Sequence, residues 1–354
     1  MIQTITGNQN YIQQFQNKQA TFMLAMSNTA TADIEGITQA GIPGMIHLTP
    51  ILDGEFIATG EVRSLPNVAE TPKGVPTPAL ITRAVHLLSP FARIELLDLG
   101  LRVQPKGDDM TVHHFDIPPS KNIAKGANID AKTVFDKGYA FGQSYQLKDD
   151  YLMLGESVPS GTTTATATAL ALRYDATDLF SSSFKAVPDN IRRQTIETAL
   201  NHVKNKTDLF EILGTVSDNM LIFNAGFILG VNGRFPVVLA GGTQMACVLL
   251  VANSIMQTKG QAQDLPLQNI ALCTTKWVAE DKHSDIKALL EMLNFPINAY
   301  YTDFDFSLSH HPALKLYDEG EAKEGVGAGG ALVYGALNDL SKKKITKQVE
   351  GFLG

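Results

Sequence analysis

Short apolar runs closed by small or polar residues recur along the chain. Thr21 to Met26 (TFMLAM), Ile94 to Leu97 (IELL), the run opening at Leu152, Pro236 to Ala240 (PVVLA), Ile270 to Cys273 (IALC) and Ile297 to Tyr301 have the length and character of buried strands. Helical stretches fall between them: Pro78 to Leu88, Ala131 to Gln143, Asn190 to Asn205, Asp208 to Met220, Met245 to Met256, Ser284 to Leu293 and Ala331 to Leu340, after a short polar helix near Tyr11 to Asn17. Repeated strand and helix alternation predicts an α/β fold, a mostly parallel, Rossmann-like sheet with helices on both faces. Two polar stretches interrupt the alternation. Ile37 to Pro78 is rich in Gly, Pro and Thr, which predicts a long, partly irregular excursion, and Gln104 to Lys125 reads as a polar loop carrying His113 and His114.

The densest chemistry lies in Leu152 to Arg173, LMLGESVPSGTTTATATALALR. An apolar entrance, a Gly and Pro turn with hydroxyls, and an Ala/Leu-rich exit read as strand, tight loop, helix. TATATAL also alternates with period two, and length and alanine content favour the helix. Gly155 and Gly161 let backbone N–H groups approach an anion, and Ser160, Thr162 and Thr163 fall at the first helical turn, where unpaired N–H groups and the dipole favour a phosphate. A loop whose hydroxyls merely cap the helix has the same composition. Gly241-Gly242-Thr243-Gln244 makes a second strand, glycine turn and helix. Near the C-terminus, Glu324-Gly325-Val326-Gly327-Ala328-Gly329-Gly330 sets a carboxylate at a helix entrance, either as a general base or as a complement to the helix dipole. Polar residues just past strand ends, Asn28 and Thr29, Asp98, and Lys276, are further candidates.

Composition narrows the class. The 354 residues are 44% hydrophobic, ample for one sizeable core, and the net charge of −7 is scattered, with Lys342 to Lys344 the basic run. That excludes a nucleic-acid surface as the leading reading. Met220 to Ala240, the most apolar window, is broken by Asn232, Gly233 and Arg234, which predicts two buried elements rather than a membrane span. A polar N-terminus and two distant cysteines, Cys247 and Cys273, predict a cytoplasmic protein with reduced, buried thiols. Adjacent histidines at 113 and 114 lack any further ligand spacing, so no metal is expected and solvent-facing side chains are.

In order along the chain, Leu97-Asp98-Leu99-Gly100, Asn122-Ile123-Ala124-Lys125-Gly126, Gly155-Glu156 with Ser160-Gly161-Thr162-Thr163, and Glu324-Gly325-Val326-Gly327-Ala328 resemble the nicotinate-nucleotide:dimethylbenzimidazole phosphoribosyltransferase family. The match is to a divergent branch: the better-known branch reads GEMGIGNTT and EGTGA at the two glycine turns. The resemblance implies one α/β domain over residues 1–354, with a small helical subdomain built from the N-terminal and C-terminal segments. It implies Glu324 as general base, with Gly155, Glu156, Ser157, Ser160, Gly161, Thr162, Thr163, Gly325 and Gly327 around the phosphate and ribose. Asn28, Thr38, Asp98 and Lys276 would lie on the base side.

The implied reaction moves a 5-phosphoribosyl group from nicotinate mononucleotide to a benzimidazole or purine base, giving an α-ribazole-phosphate-type nucleotide for the lower ligand of cobamides. Nicotinate mononucleotide is a substrate here, no cofactor or metal is implied, and the partners are small molecules, with no nucleic acid or membrane. A homodimer is expected by analogy. Departures from the family pattern are Val158-Pro159 in place of glycine-containing positions, the absence of a Ser-His pair in Thr274 to Glu280, and a shorter N-terminal part. A protein that binds the nucleotide or a cobamide precursor without turnover is the alternative.

Overall fold

The computed structural model describes residues 1–185, 189–258, 260 and 269–354. The first half of the chain runs β1 (Ile2–Thr6), β2 (Ala20–Met26), α1 (Thr49–Thr59), α2 (Ala79–Leu88), β3 (Arg93–Asp98), β4 (Thr111–His114), α3 (Ala131–Ser144), β5 (Tyr151–Ser157) and α4 (Gly161–Ala171). The second half runs α5 (Asp189–Asn201), α6 (Leu209–Val216), α7 (Asn219–Val231), β6 (Val237–Ala240), α8 (Thr243–Thr258), β7 (Ile270–Thr274), α9 (Lys276–Ala279), α10 (Ile286–Glu291), β8 (Asn298–Thr302), α11 (Pro312–Asp318), α12 (Ala328–Leu337) and α13 (Lys342–Glu350).

Among the described residues the strands form one eight-stranded sheet in the order β1-β8-β7-β6-β5-β2-β3-β4, parallel throughout except for β1 against β8. The expected mostly parallel α/β architecture is therefore present. From β2 the chain first moves outward through β3 to β4, then returns to the other side of β2 and proceeds through β5, β6 and β7 to β8. That reversal between β2 and β5 is a topological switch point, where the loops leaving adjacent strand ends part and open a crevice.

Strand alternation divides the core between the two faces. Met23, Ala25, Leu152 and Leu154 pack with α3, α4, α7 and α8 on one side, while Phe22, Leu24, Met26, Tyr151 and Met153 pack with α1, α2 and α12 on the other. The period-two run in α4 is helical, and its buried hydroxyls are satisfied within the helix: Thr164 donates to Gly161 O, Thr166 to Thr162 O and Thr168 to Thr164 O. Among the described residues no helix is long and apolar enough to cross a membrane. Both cysteines are free and buried.

Several expectations need correction. Residues 37–78 contain the helix α1, which is buried on all sides and so lacks the amphipathic period that reveals surface helices. The polar loop after β3 contains the edge strand β4, where His113 Nε2 meets Glu95 Oε2 at 2.7 Å and His114 Nδ1 meets Asp98 Oδ2 at 3.2 Å, rather than facing solvent alone. The helix expected over Asp208 to Met220 breaks at Ser217, because Asp218 caps a new helix by accepting from Leu221 N at 3.0 Å. The N-terminal segment, expected within a helical subdomain, supplies the antiparallel edge strand β1. Helix α12 starts at Ala328, so Gly329 and Gly330 form its first turn rather than the loop before it.

Candidate active site at the switch point

At the C-terminal ends of β5, β6 and β7 a cleft of about 880 Å³, solvent at its mouth included, opens between the loops. One wall comes from the end of β5 and the start of α4, residues 156–162. Facing it are Gly242 to Gln244 after β6 and residues 322–326 before α12. Covering segments come from Thr38, Ala69 to Thr71 and Val75 to Pro78, with Asp53 of α1 and Ser181 to Ser183 completing the enclosure.

Glu324 is held by four donors. Its Oε1 accepts from Gly325 N at 3.0 Å and Gly329 N at 3.1 Å, and its Oε2 accepts from Thr275 N at 2.8 Å and Thr274 Oγ1 at 3.1 Å. Backbone amides at the entrance of α12 and the end of β7 thus grip one carboxylate from two sides. The turn that makes this possible carries left-handed backbone at three successive residues, Gly325 (φ 143°), Val326 (φ 56°) and Gly327 (φ 75°). Left-handed geometry at a β-branched residue is strained, and the surroundings hold it: Val326 N donates to Glu156 O at 2.8 Å, and Val326 O accepts from the buried Thr82 Oγ1 at 2.8 Å.

Glu156 lies across the cleft, 2% exposed, with Oε2 accepting from Val158 N at 3.1 Å and Oε1 from Gln244 Nε2 at 3.3 Å. Burial, and then the nearby Glu324 charge, push its carboxyl up to about 8. Burial pushes Glu324 up to about 7, against four hydrogen bonds that favour its charged form. Asp53, buried in α1, accepts from Thr77 Oγ1 and Ser157 Oγ, each at 2.7 Å, and burial raises it to about 6. Lys323 also lines the cleft, but its ammonium is committed to Asp281 at 2.8 Å with both side chains 4% exposed. Among the described residues no group of three or more His, Cys, Asp or Glu could hold a metal ion.

The structure brings Thr38, Glu156, Ser157, Ser160, Gly161, Thr162, Glu324 and Gly325 to this one cleft. Other candidates are occupied elsewhere. Asn28 braces loops, donating to His47 O at 3.0 Å and accepting from Arg102 N at 2.9 Å. Asp98 caps its own turn, accepting from Gly100 N at 3.1 Å and Leu101 N at 2.9 Å. Lys276 pairs with Asp303 at 2.5 Å and lines a separate cleft. Gly155 and Gly327 face each other, an added Cβ on Gly155 lying 3.1 Å from Gly327 N, so they serve packing rather than the cleft wall. Thr163 is buried beneath the first turn of α4. In that turn Gly161 N and Thr163 N already donate to Val158 O and Ser160 O, each at 2.9 Å, so the expected amide cradle has fewer donors to offer.

Comparison with known proteins places the chain. No protein-family model matches it. A UPF0284 protein of Saccharolobus solfataricus is 34% identical over 339 residues, covering 94% of this chain and 92% of that protein. The chain belongs to the UPF0284 family. A second UPF0284 protein, from Sulfurisphaera tokodaii, is 34% identical over 338 residues, covering 95% of this chain and 93% of that protein. Among solved structures, a nicotinate-nucleotide-dimethylbenzimidazole phosphoribosyltransferase from Thermus thermophilus superposes with a TM-score of 0.60 at 16% identity, covering 94% of this chain and 83% of that one. A structure described as CobT from the same organism gives 0.61 at 15% identity, covering 98% and 92%. The UPF0284 chain therefore shares the fold of these two solved structures on a divergent sequence, as the resemblance implied.

Asp53, Thr77 and Ser181 to Ser183 are cleft residues of this UPF0284 chain that the sequence motifs did not single out, whereas Gln244 lies in the second glycine turn. Asp53 and Thr77 fall within the segment read as irregular. A carboxylate inside the apolar run of TPILDGEFIAT was the available signal, since a charge on a buried helix needs a partner or a purpose.

Proposed function

We propose that this chain transfers a 5-phosphoribosyl group from nicotinate mononucleotide to a nitrogenous base, benzimidazole or purine, in the assembly of a cobamide lower ligand. The observation that carries the reading is the placement of Glu324: a carboxylate gripped by four donors, raised to about 7, on a cleft whose opposite wall is the strand-end loop 156–162. The fold shared with the Thermus thermophilus transferase supports it.

In this reading the bond between the anomeric carbon and the pyridinium nitrogen breaks, its electron pair returning to the ring to give neutral-ring nicotinate. The acceptor nitrogen bonds to the opposite face of the same carbon, inverting it to the α configuration, and its proton passes to Glu324. Because the leaving group is already activated, the protein has two tasks: alignment of acceptor behind donor, and removal of one proton. A base near pH 7 suits the second task. With Lys323 paired to Asp281, the phosphate is left to the start of α4 and to the hydroxyls of Ser160, Thr162 and Ser181 to Ser183.

Purified protein incubated with nicotinate mononucleotide and a panel of bases tests the reading. Nicotinate release that requires an acceptor supports it, and binding without release favours the non-catalytic alternative. Release without any acceptor points to a hydrolase instead.

A further inference from the structure

Asp53 has no part in the transfer described above, yet it is a cleft residue and only 2% exposed. It sits inside α1, so it caps nothing. Ser157 Oγ spends its proton on Asp53 Oδ2 and Thr77 Oγ1 spends its proton on Oδ1. Those two hydroxyls therefore have no proton left to give, Thr77 Oγ1 already accepting from Ala79 N at 3.2 Å as well, and the carboxylate, which has room for about four hydrogen bonds, is left with capacity to accept more. The Asp53, Ser157 and Thr77 groups consequently accept and do not donate. A phosphate would be repelled there, whereas a moiety with two neighbouring hydroxyls would satisfy them.

A second observation points to a ligand at the same wall. Ser160, 5% exposed and three residues after Ser157 in the chain, has a buried Oγ with no hydrogen-bond partner, and it lines the same cleft. Buried polar atoms are normally satisfied, so an orphan hydroxyl on the cleft that Asp53 lines marks that cleft as one where a bound molecule supplies missing groups.

We propose that Asp53, set by Ser157 and Thr77, reads the vicinal hydroxyls of a ribose, and that the cleft selects ribosyl over 2-deoxyribosyl phosphates. This deepens the transferase reading, on which it rests for the rest of the ligand, but the sugar preference is measurable without any transfer. A hydrogen bond to a charged acceptor that is lost while the acceptor stays buried costs about 10- to 100-fold in affinity.

The experiment is titration calorimetry of the intact protein with two pairs of probes: ribose 5-phosphate against 2-deoxyribose 5-phosphate, and nicotinate mononucleotide against its 2′-deoxy analogue. Wild type should prefer the ribo member of each pair by about 10- to 100-fold, and Asp53→Asn should reduce that preference to about threefold or less. Circular dichroism and a thermal melt check that the variant folds. If it does not, Ser157→Ala and Thr77→Val, which leave the carboxylate but loosen it, must each shrink the preference. Equal affinity of wild type for both members, no binding of either sugar phosphate, or a folded Asp53→Asn with its preference intact would each overturn the proposal. A full ribo preference with no nicotinate release defeats the transferase reading alone and leaves the ribose assignment standing.

Discussion

Replacing Glu324 by glutamine is the most informative single change, because the four donors around the carboxylate fix what an amide can do there. Both carboxylate oxygens accept, Oε1 from Gly325 N and Gly329 N, Oε2 from Thr274 Oγ1 and Thr275 N. An amide keeps one acceptor and turns the other position into a donor. If the NH₂ faced the glycine pair, two backbone N–H groups would lose their partner, at about 1–3 kcal/mol each. Facing the threonines it does better: Thr274 can rotate its hydroxyl to accept, and only Thr275 N–H is orphaned.

The expected stability loss is therefore about 1–3 kcal/mol, reduced somewhat because the variant also removes the like charge that faces Glu156. The effect on chemistry is larger. Loss of a general base lowers turnover by about 10²- to 10⁴-fold, with nucleotide affinity changed little. Nicotinate release should be followed from about pH 5 to about pH 9, together with urea unfolding. Wild-type turnover should rise through the region near 7 where Glu324 loses its proton, and that limb should vanish in Glu324→Gln. A variant that folds, binds nucleotide and turns over at the wild-type rate would refute the assignment.

Three other expectations follow from the same geometry. A methyl on Gly329 would lie 2.2 Å from the Thr274 carbonyl carbon and 2.5 Å from Thr275 N, both backbone, so Gly329→Ala should lower stability by about 1–3 kcal/mol and cut turnover; an unchanged urea midpoint would contradict this. At Gly161 the first added atom would lie 1.7 Å from Gln244 Oε1, a flexible side-chain end, so Gly161→Val should fold but swing Gln244 off Glu156 and weaken donor binding about 10-fold. If Gly161→Val binds the donor as tightly as wild type, the steric account is wrong. Finally, burial raises Asp53 and Asp218 from 3.8 to about 6, Glu324 from 4.5 to about 7 and Glu156 from 4.5 to about 8. The folded protein thus holds these protons more tightly than the unfolded chain, so their stabilisation is full below the unfolded values and is lost as pH rises toward 8. The unfolding midpoint should fall over that window, and Glu156→Gln should flatten its upper end; an identical pH profile in the variant would count against the burial argument.

The sheet was legible in the sequence because each inner strand is a short apolar run with turn residues at its end, and β2, β3, β5, β6, β7 and β8 all fall where those runs lie. What escaped notice did so for physical reasons. The helix α1 is buried on every side and shows no period, and the edge strand β4, only partly buried, has Val112 alone for the apolar content by which buried strands are recognised. Asn28, Asp98 and Lys276 do follow strand ends, which is why they were candidates, but Asn28 is spent on His47 O and Arg102 N, Asp98 ends β3 on the far side of β2 from the cleft-lining strand β5, and Lys276 turns toward Asp303. Position after a strand narrows the search to one edge of the sheet. Proximity to the switch point selects among the residues there, and that depends on strand order, which no local pattern encodes.

The carboxylate pair is joined through backbone rather than through side chains, and this bears on how the site could diverge while its chemistry stayed in place. Glu156 and Glu324 come from segments far apart in sequence, yet the Val326 N–H donates to the Glu156 carbonyl and Gly155 abuts Gly327. Once β5 and the turn before α12 are locked in this way, the two side chains must face one another across the cleft. Replacing Val158 or Pro159 changes the lining of the cleft and leaves the lock untouched, since neither side chain takes part in it. A Cβ on Gly327 would lie 2.6 Å from the Phe22 ring, so the lock tolerates no side chain at that point without a shift in β2. Divergence can therefore accumulate in the loop between the glycines, where this chain departs from GEMGIGNTT, while Gly155, Gly327 and the left-handed residue between the last two glycines hold the acid groups in register.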